Sequence, residues 1–214
     1  MIRTLALLVR RPDIDRETFR RHYESVHTPL ALQSLVGLRR YVRNHVVEVL
    51  DGPDPPFDVL TEFAYADHSS VEQTMAMLAS SEAGERIRRD ELEFMDKPRN
   101  AFFEVEAWQP GGDPVQPPQQ GASKLALLVG PADESPGASA PEVFDMELSP
   151  LLHGAIMWES WRLLPKPKLA RPWRAVAFVW LCPERVDAFR SRLSGWLAAP
   201  PQCLRVEEHA SLPG

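Results

Sequence analysis

Residues 22–45 gather side chains that can pass a proton or hold a metal. His22, His27 and His45 are three of the six histidines in a chain of 214 residues. Tyr41 stands among them, and all four groups are suited to acid–base work or ligation. His22 and His27 lie five residues apart on one helical segment, on opposite flanks of its apolar stripe. That is not the i, i+4 spacing of a helical zinc pair, and no other cluster suggests a metal, so none is expected. His22 can also be read as an amphipathic residue at the edge of a core. His27 stands just before Pro29, where the helix is expected to break and a side chain can enter a cleft; the plainer role is a cap on loose backbone groups. On the next strand Tyr41 and His45 share a face with Arg39 and Arg43. Leu38, Val42 and Val46 take the other face with Arg40 and Asn44. The Tyr41 face is polar enough for solvent or for a ligand cavity. Glu62, in mid-strand, calls for a partner such as Arg40 or a histidine.

The elements that must position these groups follow from pattern. Residues 2–10 read as a buried strand. Asp15 caps a helix from Arg16, whose apolar stripe is Phe19, Tyr23, Val26 and Leu30. Thr28-Pro29 looks like a fresh cap with proline at the first position, and Gly37 closes the helix. Strands are expected over 38–50 and 57–66, joined by the turn at Asp51-Gly52-Pro53-Asp54. Ser69-Ser70 opens a helix through Leu78, with His68 as a surface cap, and Ser81 opens another to about Met95. A fourth strand runs from Asn100 to Trp108. The order β-α-β-β-α-β is that of a ferredoxin-like unit.

A second unit follows. Leu5-Ala6-Leu7-Leu8-Val9 recurs letter for letter as Leu125-Ala126-Leu127-Leu128-Val129, and repeats bear directly on fold. Pro- and Gly-rich residues 109–121 read as a linker between a first unit, 1–108, and a degenerate second unit, 122–214. In the second unit strands are expected over 124–130, 155–164, 173–181 and 204–209. A weak helical pattern covers 142–153 after a loose stretch at 132–139, and a helix starts at Pro183-Glu184. A four-stranded sheet with helices on one face leaves the other bare. The fold class expected is therefore α+β, two ferredoxin-like units packed sheet to sheet within one chain. Such a chain is expected as a monomer, or as a dimer through other surfaces. Tryptophans 158, 161, 173, 180 and 196 suit core packing, and His153 and His209 look structural.

The net charge of −6 and the absence of clustered basic charge argue against a nucleic-acid surface. The longest N-terminal apolar run, Leu5–Val9, is too short for a signal-peptide core or a membrane span. Two cysteines, Cys182 and Cys203, make no disulfide framework. A reduced cytoplasmic protein is the expectation. No phosphate loop, serine elbow or cysteine nucleophile stands out.

The run Phe19-Arg20-Arg21-His22 with His27 before Pro29-Leu30-Ala31, then Arg39-Arg40-Tyr41-Val42 ending near Asn44-His45, resembles the signature of the EthD-like family. That family belongs to the dimeric α/β-barrel superfamily, and the resemblance covers about residues 1–108. It implies that the tandem chain forms an intrachain version of the barrel that single-unit relatives build as homodimers. It also implies proton transfer, of lyase or isomerase type, on a small apolar or cyclic carbonyl compound without a cofactor. The residues carried over are His22, His27, Tyr41 and His45, with His27 as base and Tyr41 or His45 facing the enolate oxygen. The second half lacks the motif. Two other classes stay open: a non-catalytic protein binding a small hydrophobic molecule, and a haem protein, as other dimeric α/β barrels are.

Overall fold

Asp15 opens the helical layer by accepting a hydrogen bond from the Thr18 N–H at 2.7 Å. The computed structural model describes residues 1–112, 121–130, 151–152, 155–164, 173–196 and 201–211, with backbone alone at 107–112 and 195–196. The expected helical pattern at 142–153, save Leu151 and Leu152, the stretch at 132–139, His153 and most of the linker lie outside the described residues. So do the side chains of Trp108 and Trp196. The strands are β1 (Ile2–Leu8), β2 (Leu38–Asp51), β3 (Val59–Tyr65), β4 (Ala101–Gly112), β5 (Ser123–Val129), β6 (Met157–Leu163), β7 (Ala175–Leu181) and β8 (Gln202–Ser211). The helices are α1 (Arg16–His22), α2 (Thr28–Leu32), α3 (His68–Ser80), α4 (Glu82–Phe94) and α5 (Val186–Trp196), with a π-helical turn at Tyr23–His27.

The strands close as an antiparallel barrel in the order β1-β3-β2-β8-β5-β7-β6-β4. The α/β-barrel expectation holds. Each half lays its strands in the same sequence, β4-β1-β3-β2 and β8-β5-β7-β6. The repeated Leu-Ala-Leu-Leu-Val occupies β1 and β5, and each of these pairs with a strand on both sides. A strand enclosed in this way reads as an unbroken apolar run. Two compact units are distinguished: Met1–His45, Pro55–Glu104 and Glu208–Gly214 form one, Val46–Asp54 and Val105–Glu207 the other. No helix among the described residues is long and apolar enough to cross a membrane.

In the first unit the core between sheet and helices contains Ala6, Leu8, Phe19, Tyr23, Leu38, Tyr41, Val59, Tyr65, Phe94 and Met95. Phe19 and Phe94 are each 1 % exposed, and burying a phenylalanine contributes about 1.5–3 kcal/mol. Ser81 caps α4 through the Gly84 N–H at 3.0 Å, as expected. The α3 cap is Asp67, which accepts from the Ser70 N–H at 2.8 Å. Ser69 and Ser70 therefore lie inside the first turn, and His68 is its exposed first residue rather than its cap. A carboxylate two positions earlier serves better because it accepts from both the amide and the hydroxyl of Ser70.

The helix does not restart at Thr28. Thr28 keeps helical geometry, and its N–H reaches the Tyr23 carbonyl five residues back. Pro29 brings no N–H and its ring crowds the carbonyl four residues before it, and a widened π turn accommodates both. Gly37 does end the segment, at φ 65°. A register shift between Leu38 and Arg40 inserts one extra residue in β2. Leu38 thereby joins Tyr41 in the core instead of opposing it, and Arg39 is left exposed. Both departures from strict alternation come from this bulge.

In the second unit α5 and residues Leu151 and Leu152 pack on Leu125, Leu127, Ala177, Val179 and Cys203. Trp161, Trp173 and Trp180 are buried, and Trp158 packs against this cluster. The Lys124 ammonium lies 4.5 Å from the Phe178 ring centre and 4.4 Å from that of Trp180. β4 continues through Gly112, paired there with Met157, so the first residues of the expected linker are strand.

Candidate active site

The π turn carries Tyr23, Glu24 and His27, which meet α4 through Asp90 and β2 through Tyr41, Arg43 and His45. Such turns recur at functional sites. His27 is 5 % exposed. Its Nδ1 lies 2.7 Å from Asp90 Oδ2, and His22 Nε2 lies 2.8 Å from Asp90 Oδ1. One carboxylate on α4 thus holds both motif histidines of the helix. Partial burial works against the Asp90 carboxylate, but the hydrogen bonds and charges of His27 and His22 outweigh it and hold its pKa below the ordinary value. In the neutral His27 ring, Nδ1–H donates to Asp90 and Nε2 carries the lone pair. Phe94 closes the other side, stacked on His22 at 4.6 Å and 5.3 Å from the His27 ring.

A second carboxylate–histidine pair stands on the sheet side. His45 Nε2 lies 2.7 Å from Glu24 Oε1. Arg43, 2 % exposed, donates to both Glu24 oxygens at 3.2 and 2.5 Å. Burial alone would raise the Glu24 pKa; the bonds from His45 and Arg43 reverse this and bring it to about 2. Burial lowers the His45 pKa, and Glu24 only partly offsets it. From the last strand His209 Nδ1 comes within 3.7 Å of Glu24, with its ring 5.4 Å from that of His45.

Tyr23 lies between the two pairs, its ring centre 5.2 Å from that of His27 and 5.7 Å from that of His45. The Tyr41 hydroxyl donates to the Tyr23 hydroxyl at 3.2 Å, and Thr61 Oγ1 is 3.0 Å from the same atom. Burial raises both phenols, Tyr23 to about 12 and Tyr41 well above the ordinary value. The Arg43 guanidinium lies over the Tyr41 ring at 4.6 Å.

The four residues singled out from sequence therefore sit in one unit, around Tyr23. His22 and His27 meet at Asp90. Tyr41 and His45 reach the same centre from β2, on a face that is buried rather than open to solvent. Their donors are already engaged: the Tyr41 proton goes to Tyr23, and the only N–H of a neutral His45 goes to Glu24. Glu62 lies on the other face of the sheet, paired with Arg40 at 3.1 Å and accepting from Asn44 at 2.8 Å. Among the described residues no group of three His, Cys, Asp or Glu side chains is arranged to hold a metal ion.

Sequence reasoning missed Asp90, Glu24, Arg43 and Tyr23 as members of the site. Asp90 had a readable signal. It falls between Ile87 and Phe94 on the buried stripe of α4, where an unpaired carboxylate is not expected. Glu24 had none, because its partners Arg43 and His45 come from a different element, β2.

Residues 11–98 match the EthD domain family. Among solved structures, an anthrone oxidase-like protein is similar over 100 % of this chain and 93 % of its own, at 12 % identity and a TM-score of 0.60. A candidate monooxygenase from Fusobacterium nucleatum is similar over 100 % and 94 %, at 7 % identity and a TM-score of 0.59. An ethyl tert-butyl ether degradation (EthD) family protein from Bacillus halodurans aligns with 50 % of this chain and 98 % of its own, at 27 % identity and a TM-score of 0.36. At these identities the two full-length likenesses speak to the fold. No functionally curated protein matches the chain.

Proposed function

We propose, from the premise that residues 11–98 are an EthD domain, that this chain catalyses proton transfer on a small apolar or cyclic carbonyl compound without a cofactor. The observation that carries this reading is the Asp90–His27 pair at 2.7 Å. A carboxylate that accepts Nδ1–H fixes the tautomer and ring angle, leaves Nε2 as the base, and stabilises the imidazolium once it forms. The Nε2 lone pair takes a proton from the carbon next to the substrate carbonyl. The C–H electrons become the enolate double bond, and the carbonyl oxygen takes up the negative charge. Return of the proton from Nε2 to another carbon completes an isomerisation, and loss of a leaving group completes an elimination. His22 holds the second Asp90 oxygen. Tyr41 and His45 act on the reaction through Tyr23 and Glu24.

The test is exchange of the α-hydrogens of 2-tetralone in D2O, followed by proton NMR. Wild type accelerates exchange over buffer, and His27→Ala loses about 10²–10⁴-fold, the usual share of a general base. Equal exchange by the two proteins would remove His27 from the chemistry. One observation favours a second reading: Tyr23, Tyr41 and His45 are at most 3 % exposed and bonded within the cluster. A protein that binds 2-naphthol but does not exchange 2-tetralone is a binding module with structural histidines.

A further inference from the structure

The hydroxyl row over the sheet has one proton more than it uses. Tyr41 donates to Tyr23, and one further bond links Tyr23 and Thr61. Two bonds among three hydroxyls engage two protons. The third belongs to Tyr23 whenever Thr61 donates. A phenol is a far stronger donor to an anion than an alcohol, so an approaching oxyanion draws the proton of Tyr23 and turns Thr61 into a donor behind it. We propose that Tyr23 is the catalytic hydrogen-bond donor to the enolate oxygen, with Tyr41 and Thr61 as positioning residues that polarise it. The proposal rests on the acid–base reading above.

Three further observations agree. Tyr23 is the residue of the row whose ring touches both histidines. Phe19 at 5.9 Å and Phe94 at 5.5 Å give its ring apolar neighbours beside the two histidines, and its burial strengthens a hydrogen bond to developing charge. Burial raises both phenols; against it, the bonds from Thr61 and Tyr41 and the charge of Arg43 favour ionised Tyr23, while the charge of Glu24 opposes it. The chemistry places no new bond to Tyr23. Its O–H shares a proton with the oxygen that becomes negative, while the proton abstracted from carbon rides on His27 Nε2.

Two probes separate this proposal from the reading beneath it. One is the 2-tetralone exchange. The other is 2-naphthol, the aromatic counterpart of the tetralone enol, whose naphtholate has its own absorption and fluorescence bands. Tyr23→Phe is expected to slow exchange about 10²–10³-fold, the usual effect of removing one oxyanion donor, and to bind 2-naphthol in its neutral form. Tyr41→Phe keeps the donor but loses one polarising bond, so its bound naphthol ionises less than in wild type and exchange falls by a smaller factor. If His27→Ala abolishes exchange while Tyr23→Phe exchanges and ionises naphthol as wild type does, the donor is another group and the base stands. If exchange survives His27→Ala, the acid–base reading falls; loss of naphtholate in Tyr23→Phe then still supports the donor. Should Tyr23→Phe melt below the assay temperature, Tyr41→Phe decides: unchanged naphthol ionisation overturns the proposal.

Discussion

Glu24 couples the sheet side of the site to acid. Its pKa is about 2 in the fold against 4.5 in the unfolded chain, so the unfolded chain binds its proton first as pH falls. The stability tied to Glu24 is complete above about 4.5 and drains away toward about 2. His45 acts in the same direction: its lowered pKa means that the unfolded chain takes its proton first below the ordinary histidine value. In Glu24→Gln the low-pH loss should flatten, and stability at neutral pH should fall by about 3 kcal/mol, because Arg43 is left buried without its anion. Urea melts at a series of pH values check both. An unchanged slope between pH 4.5 and 2 would mean that Glu24 is not held as described. At this scale sequence located the histidines, whose chemistry is intrinsic. It did not locate their carboxylates, because which acid meets which ring is decided by tertiary approach.

Among the elements, the caps at Asp15 and Ser81 and the closing glycine were legible because each is a local matter of hydrogen bonds and backbone angle. Gly37 has a second reason to be glycine. A Cβ there would lie 2.3 Å from Ser70 Oγ, the hydroxyl that bonds the Asp67 cap. Gly37→Ala should therefore destabilise by about 1–3 kcal/mol, through the positive φ and the displaced cap together. A thermal melt reads it, and a shift no larger than that of an exposed Gly130→Ala, where a Cβ meets nothing within 4 Å, would contradict the packing. The π turn and the β2 bulge were not legible. Each changes register by one residue, and the hydrophobic pattern on either side is compatible with regular structure. The sequence cue for the turn was Pro29, which reads equally well as a restart.

For the whole molecule, the barrel was readable from element order and from the recurring apolar pentapeptide, since both β1 and β5 must be enclosed. The extension of β4 past Trp108 was hidden by Pro110 and the two glycines after it, which mimic linker composition. Burial also sets thiol chemistry. Cys203, 0 % exposed, has its pKa pushed up to about 12 by burial, whereas Cys182 is half-buried. A thiol reagent on the native protein should label Cys182 alone, and Cys203 only after denaturant. Labelling of both at equal rates would show that α5 does not cover β8.

Arg43 also donates to Ser211 Oγ at 2.9 Å, across 168 positions of chain. On the ribosome, β2 and the π turn emerge long before β8. Until Ser211 and His209 arrive, the nascent first half holds a guanidinium and a carboxylate with part of their surroundings missing, so this corner is completed only once β8 has been made.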